Sequence, residues 1–155
     1  MRVAIDTNIL VYAFIRDEDQ RHFSAADYLI RAALADAVLP AQVLGEFINV
    51  IRRKFAHYAE DAAEQVSLWS ATFVVVPTTE AEVLRGAKFA IQHQLQSWDA
   101  IIWQASVSAG AHYLISEDMH DGLSIDGVTV VDPFNLANAD LLDTLLAPTE
   151  EIDRP

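Results

Sequence analysis

Cysteine is absent from the 155 residues, which excludes disulfides and thiolate metal sites and fits a reducing cytoplasm. Basic residues are few: 10 Lys and Arg stand against 23 Asp and Glu, a formal charge of −13. A surface this acidic repels phosphate and argues against a nucleic-acid binder that works through a basic face. The exception is a chain whose acids converge on a cation, because the ion locally inverts the field. The 5 glycines fall in neither a GxGxxG nor a P-loop spacing, so a nucleotide cofactor is disfavoured. No apolar run approaches the ~20 residues of a membrane span. Asp6 interrupts what would be the apolar region of a signal peptide. No internal repeat, low-complexity segment or Pro/Gly/Ser-rich linker divides the chain.

What is present is enough apolar material, 52%, for one sizeable core. Short β-rich runs occur at 2–5, 36–39, 73–76, 112–115 and 128–131. Val74-Val75-Val76 and Val128-Thr129-Val130-Val131 are continuous and β-branched, the pattern of strands buried on both faces. Helical patterns fill the intervals at 20–35, 41–55, 60–71, 80–93 and 98–109, with another at 140–146. Strands alternating with helices predict an α/β three-layer sandwich around a central, mostly parallel five-stranded sheet. We divide the chain into a domain over 1–136 and a C-terminal helix and tail over 137–155, whose Leu141, Leu142, Leu145 and Leu146 either cover the edge of the core or bind a partner.

In such folds ligands bind beyond the carboxyl ends of the strands. Two acidic positions fall there. "AIDTNIL" sets Asp6 between two apolar stretches, where on its own it reads as a helix cap. "LISEDMHDG" sets Asp118 after a strand, with Glu117 and Asp121 close by in sequence. Two more acids lie on predicted helices. Glu46 has Val43 at i−3 and Val50 at i+4, so it borders an apolar stripe, although alone it reads as a solvated rim glutamate. Asp99 lies in "SWDAIIWQAS" with Ile102 and Trp103 at i+3 and i+4. Ser97 as N-cap and the helix dipole explain a charge in that first turn, but not its apolar company, since buried carboxylates need partners. Taken together, the acids repel one another and need a cation between them; oxygen ligands without cysteine suit Mg²⁺ or Mn²⁺.

The four motifs "AIDTNIL", "LGEFINVIRRKF", "SWDAIIWQAS" and "LISEDM", in that order over roughly residues 1–134, resemble PIN-domain ribonucleases, and VapC-like toxins of bacterial toxin–antitoxin pairs most closely. By that resemblance Asp6, Glu46 and Asp99 match the core metal-binding and catalytic acids, and Asp118 matches the fourth, a role that Glu117 or Asp121 is placed to share. Asn8 (or Thr7) matches the small polar position supporting the metal site, and Ser116 the hydroxyl before the fourth acid. The resemblance implies Mg²⁺-dependent endoribonuclease chemistry, an RNA substrate, a cytoplasmic setting, a homodimer and a cognate antitoxin that blocks the site.

Arg52-Arg53-Lys54 is the one basic cluster, and it serves equally as a helix-end charge or as the RNA contact. His93 and His120 have no paired spacing and read as surface residues, while Trp69, Trp98 and Trp103 read as core. Two other functions remain open on sequence grounds. One is an aspartate-based phosphotransfer domain with Asp6 as nucleophile, weakened because Asn8 stands where such enzymes place a second aspartate. The other is a non-catalytic metal- or partner-binding module.

Overall fold

A computed structural model describes residues 1–16 and 20–149. Its elements are β1 (Val3–Ile5), α1 (Thr7–Phe14), α2 (Gln20–Ala32), β2 (Ala37–Pro40), α3 (Ala41–Lys54), α4 (Ala59–Thr72), β3 (Val74–Val76), α5 (Glu80–His93), α6 (Ser97–Ser108), β4 (Tyr113–Ile115), β5 (Ser124–Ile125), β6 (Val128–Val131) and α7 (Ala139–Leu145). The sheet order is β3-β2-β1-β4-β6-β5. Every neighbouring pair is parallel except β5–β6.

The sheet therefore has six strands, not the five predicted. The extra strand is a two-residue antiparallel edge closed by Asp126 and Gly127, both at positive φ (51° and 81°). Asp-Gly at two such positions is the hairpin turn whose twist matches the flanking strands. Val74-Val75-Val76 departs from expectation in burial: it forms the opposite edge, and Val74 is exposed. The doubly buried strands are β1, β2 and most of β4 and β6.

The order of the strands locates the site. From β1 the chain steps to β2 and β3 on one side, then crosses back to place β4 on the other side of β1. The direction of winding reverses between β1 and β4, and a crevice opens there beyond the carboxyl ends. Register aligns Ile5 with Ile115, so the residues that emerge side by side at that edge are Asp6 and Ser116.

Helices hold this edge from both sides. In α3 the buried residues Val43, Leu44, Phe47 and Ile51 recur at helical spacing. Phe47 meets Phe14 and Trp69 edge-on at ring-centroid distances of 5.3 and 4.9 Å, joining α1, α3 and α4. In α6 every residue from Ala100 to Ser106 is buried, as befits a helix that is apolar almost all round. It packs tightly on α5 at Gly86, where a Cβ would stand 2.8 Å from Ile101 Cγ1 and 3.1 Å from the Ile101 backbone. The pair is also tied at the end of α5: buried Glu82 accepts from Arg85 and from Ser108 of α6, each at 2.7 Å, and completes a capping box with Thr79. Leu142, Leu145 and Leu146 join the same core, so the C-terminal helix covers its edge. Among the described residues no helix is long and apolar enough to cross a membrane.

Candidate metal centre

Asp6 ends β1 and caps α1. It is 3% exposed, and both of its carboxylate oxygens are occupied. Oδ1 accepts the Thr7 backbone N–H at 2.7 Å; Oδ2 accepts the Ser116 hydroxyl at 2.7 Å and the Asn8 amide at 3.2 Å. The cap expected from sequence is therefore real, and it coexists with a carboxylate held in place from β4. Ser116 Oγ also receives Asn8 Nδ2 at 3.3 Å and the Asp118 N–H at 3.2 Å, which fixes the loop bearing Asp118.

Glu46 points from α3 toward the same edge. Its Oε2 accepts the Thr7 hydroxyl at 2.9 Å and its Oε1 accepts Gln42 Nε2 at 3.2 Å. Asp99 sits half-buried in the first turn of α6. The cap of that helix is Gln96, not Ser97, and it makes no side-chain cap bond. Glu46, Asp99 and Asp118 line one cavity of about 440 Å³ together with Thr7, Asn8, Val11, Tyr12, Val50, Lys54, Phe55, Gln96 and Trp98. Asp6 lies beneath, bonded to Thr7 and Asn8 of its wall.

Burial dominates the electrostatics, and the crowding of carboxylates adds to it. Burial raises the Asp6 carboxyl from 3.8 to about 7. The Ser116 hydroxyl and Thr7 N–H pull it down, while the charges of Asp99 and Asp118 push it up. Asp99 is raised to about 6, first by burial and then by Glu46 and Asp118.

Oxygen donors of this kind fit a hard divalent cation. Among the described residues no three acidic or histidine side chains are disposed to ligate one ion directly.

The neighbouring acids are otherwise engaged. Glu117 pairs with Arg21 at 3.0 Å, and Arg21 lies 5.5 Å from the centroid of the Tyr12 ring and 5.6 Å from that of Phe134. Asp121 accepts the Asp132 N–H at 2.9 Å, Asn135 Nδ2 at 2.8 Å and Asn138 Nδ2 at 3.0 Å. Burial alone would raise its pKa, yet those hydrogen bonds, with His120 nearby, hold it below the ordinary value. Neither carboxylate lines the cavity, so of the three acids in that loop Asp118 is the one beside the others.

Of the basic cluster, Arg52, Arg53 and Lys54 are all exposed, and Lys54 alone is in the cavity wall. Helical spacing explains why: Glu46, Val50 and Lys54 are successive i, i+4 positions on one face. The same reasoning on α1 aligns Asn8, Val11 and Tyr12, and it would have disclosed Tyr12, and Gln42 at i−4 of Glu46, from sequence. Trp69 and Trp103 are buried as expected, but Trp98 is 57% exposed at the cavity mouth.

The PIN domain family profile matches residues 3–120. No curated protein sequence gives a significant match. Solved structures with a similar fold include VapC20 of Mycobacterium tuberculosis, a Sarcin-Ricin loop cleaving toxin, with a TM-score of 0.63 at 20% identity over 75% of this chain and 91% of that one. A toxin–antitoxin complex from Klebsiella pneumoniae gives 0.63 at 20% identity, covering 85% of this chain and 98% of that one. VapBC2 from Rickettsia felis, bound to a DNA fragment from its promoter, gives 0.60 at 15% identity over 84% and 97%.

Proposed function

Because this chain belongs to the PIN domain family, we propose that it is a Mg²⁺- or Mn²⁺-dependent endoribonuclease and the toxin of a toxin–antitoxin pair. The observation that carries the proposal is the set of acids from β1, α3, α6 and the loop after β4, gathered at the one crevice where the winding of the sheet reverses. Asp6, Glu46, Asp99 and Asp118 would hold the ion. When bound, it supplies Lewis-acid polarisation of a phosphodiester and activation of a water. Ser116, Asn8 and the Thr7 N–H orient Asp6, the Thr7 hydroxyl and Gln42 orient Glu46, and Lys54 at the rim contacts a phosphate, with Arg52 and Arg53 in the same helical turn beside it. Asn8, standing where phosphotransfer enzymes place a second aspartate, disfavours the alternative in which Asp6 attacks phosphorus itself.

The structural neighbours described as toxin–antitoxin complexes support a cognate protein inhibitor for this chain. A homodimer and action in the cytoplasm, where RNA and Mg²⁺ are abundant, belong to the same reading. The test is single-turnover cleavage of RNA with Mg²⁺, with Mn²⁺ and with EDTA. Wild type is expected to cleave only with metal. Asp99→Asn is expected to lose cleavage while melting as a folded protein. Cleavage by Asp99→Asn within a few-fold of wild type, or cleavage undiminished in EDTA, would refute the proposal.

A further inference from the structure

Trp98 is the one tryptophan that the core does not bury. A tryptophan that serves the core is buried, as Trp69 at 8% and Trp103 at 0% exposure are, yet Trp98 stands 57% exposed in the first turn of α6, next in sequence to Asp99. Aromatic side chains stabilise a fold through the area they bury, and this one leaves most of that area in water. It faces a cavity of mixed character. One part of the wall is carboxylate, from Glu46, Asp99 and Asp118; the rest is Tyr12, Val11, Val50, Phe55 and Trp98, with Lys54 and Gln96 at the rim. A site that held only a hydrated cation would have no use for an aromatic wall.

A nucleotide has the complementary division, a flat apolar base joined to an anionic phosphate. We infer that Trp98 is the platform on which one unpaired RNA base stacks, placing the adjoining phosphodiester over the carboxylates. Lys54 takes a flanking phosphate and the Gln96 amide faces the edge of the base. The cavity, at about 440 Å³, lies within the range of pockets that enclose a small ligand. Bases inside a duplex present no free face to a wall-mounted ring, so the substrate is single-stranded at the cut, in a loop, a bulge or an end. This inference rests on the ribonuclease reading and deepens it by naming a residue that holds the substrate.

Stacking on an aromatic side chain is sequence-tolerant, and its removal weakens binding by about 5- to 150-fold. Single-turnover cleavage of a random-sequence single-stranded oligoribonucleotide, titrated with wild type, Trp98→Ala and Trp98→Phe, reads this directly. Trp98→Ala is expected to raise the half-saturating protein concentration by that factor and to leave the rate at saturation within a few-fold. Trp98→Phe should recover most of the loss. On an oligomer of the same length carrying abasic nucleotides, wild type and Trp98→Ala should become equal, because no base remains to stack. The same RNA annealed to its complement should be cut poorly by all three.

If wild type cuts single strands and Trp98→Ala saturates at the same concentration, the platform is refuted while the nuclease stands, and Trp98 becomes a contact for a protein partner. A penalty that persists undiminished on the abasic oligomer also refutes stacking. If wild type cuts no RNA with either metal, the nuclease reading falls and the platform falls with it.

Discussion

Asp6→Asn should make the metal-free protein more stable at alkaline pH and leave it unchanged in acid. The sign follows from the raised pKa. Below about pH 4 the carboxyl is protonated in both folded and unfolded chains, so its burial has no charge to oppose. Between 3.8 and about 7 the unfolded chain releases its proton while the folded chain retains it, so stability falls as pH rises, and above 7 the full burden is present. The gap corresponds to a ceiling of about 4 kcal/mol. Asparagine is nearly isosteric, keeps an oxygen for the Thr7 N–H and offers an amide to Ser116 Oγ, but at alkaline pH it gives up the acceptor that the ionised carboxylate provides for Asn8. That loss offsets about 1–1.5 kcal/mol. A net gain of about 2–3 kcal/mol remains, which in a chain of this size is a rise in Tm of roughly 5–10 °C. Thermal melts in EDTA at pH 4 and pH 8 measure it. Saturating Mg²⁺ should reverse the ranking by stabilising wild type, by about 2.7 kcal/mol at a hundred times Kd, and not the mutant. An Asp6→Asn protein that melts below wild type by the same margin at both pH values would show that Asp6 is a structural cap and nothing more.

Gly86→Ala should lower stability by about 1–2 kcal/mol even though alanine is the better helix former, because its methyl would overlap Ile101; an unchanged melt would mean that α5 and α6 separate freely. Asp121→Ala should cost about 2–3 kcal/mol through three lost hydrogen bonds yet retain cleavage, whereas Asp118→Ala should melt like wild type and lose cleavage; the opposite pattern would exchange their roles. Lys54→Ala should flatten the salt dependence of RNA binding by a log–log slope of roughly 0.7, and Arg53→Ala by less; equal slopes in an anisotropy titration would remove the distinction between the residue in the cavity wall and its neighbour.

Much of the sheet was legible because β-branched runs between helical patterns admit few topologies. The parallel core and the position of Asp6 beyond β1 both follow from that. β5 escaped because two residues show no periodicity, and its real signal, Asp126-Gly127, speaks of the turn and not the strand. Trp98 was misplaced for a related reason. "SWDAIIWQAS" is apolar on nearly every side, so its pattern cannot tell the turn that projects beyond the core from the turns within it. Which of Glu117, Asp118 and Asp121 lines the cavity is not legible in the sequence, since it depends on what reaches them from elsewhere: Arg21 pairs with the first, and the amide of Asp132 and two asparagines bond the third. The helix face carrying Glu46, Val50 and Lys54 was in the sequence throughout, at a spacing of four.

A hydroxyl has one hydrogen to give, and Ser116 spends it on Asp6. Its lone pairs then receive the Asn8 amide from α1 and the Asp118 N–H from the loop after β4, so both lead through the serine to the carboxylate. A protonated Asp6 would oblige its own hydrogen or a neighbour's to turn away, so the set is complete only with an ionised aspartate, at a depth where burial opposes ionisation. One hydroxyl thus ties the end of β1 to the loop after β4, and losing it would release both at once.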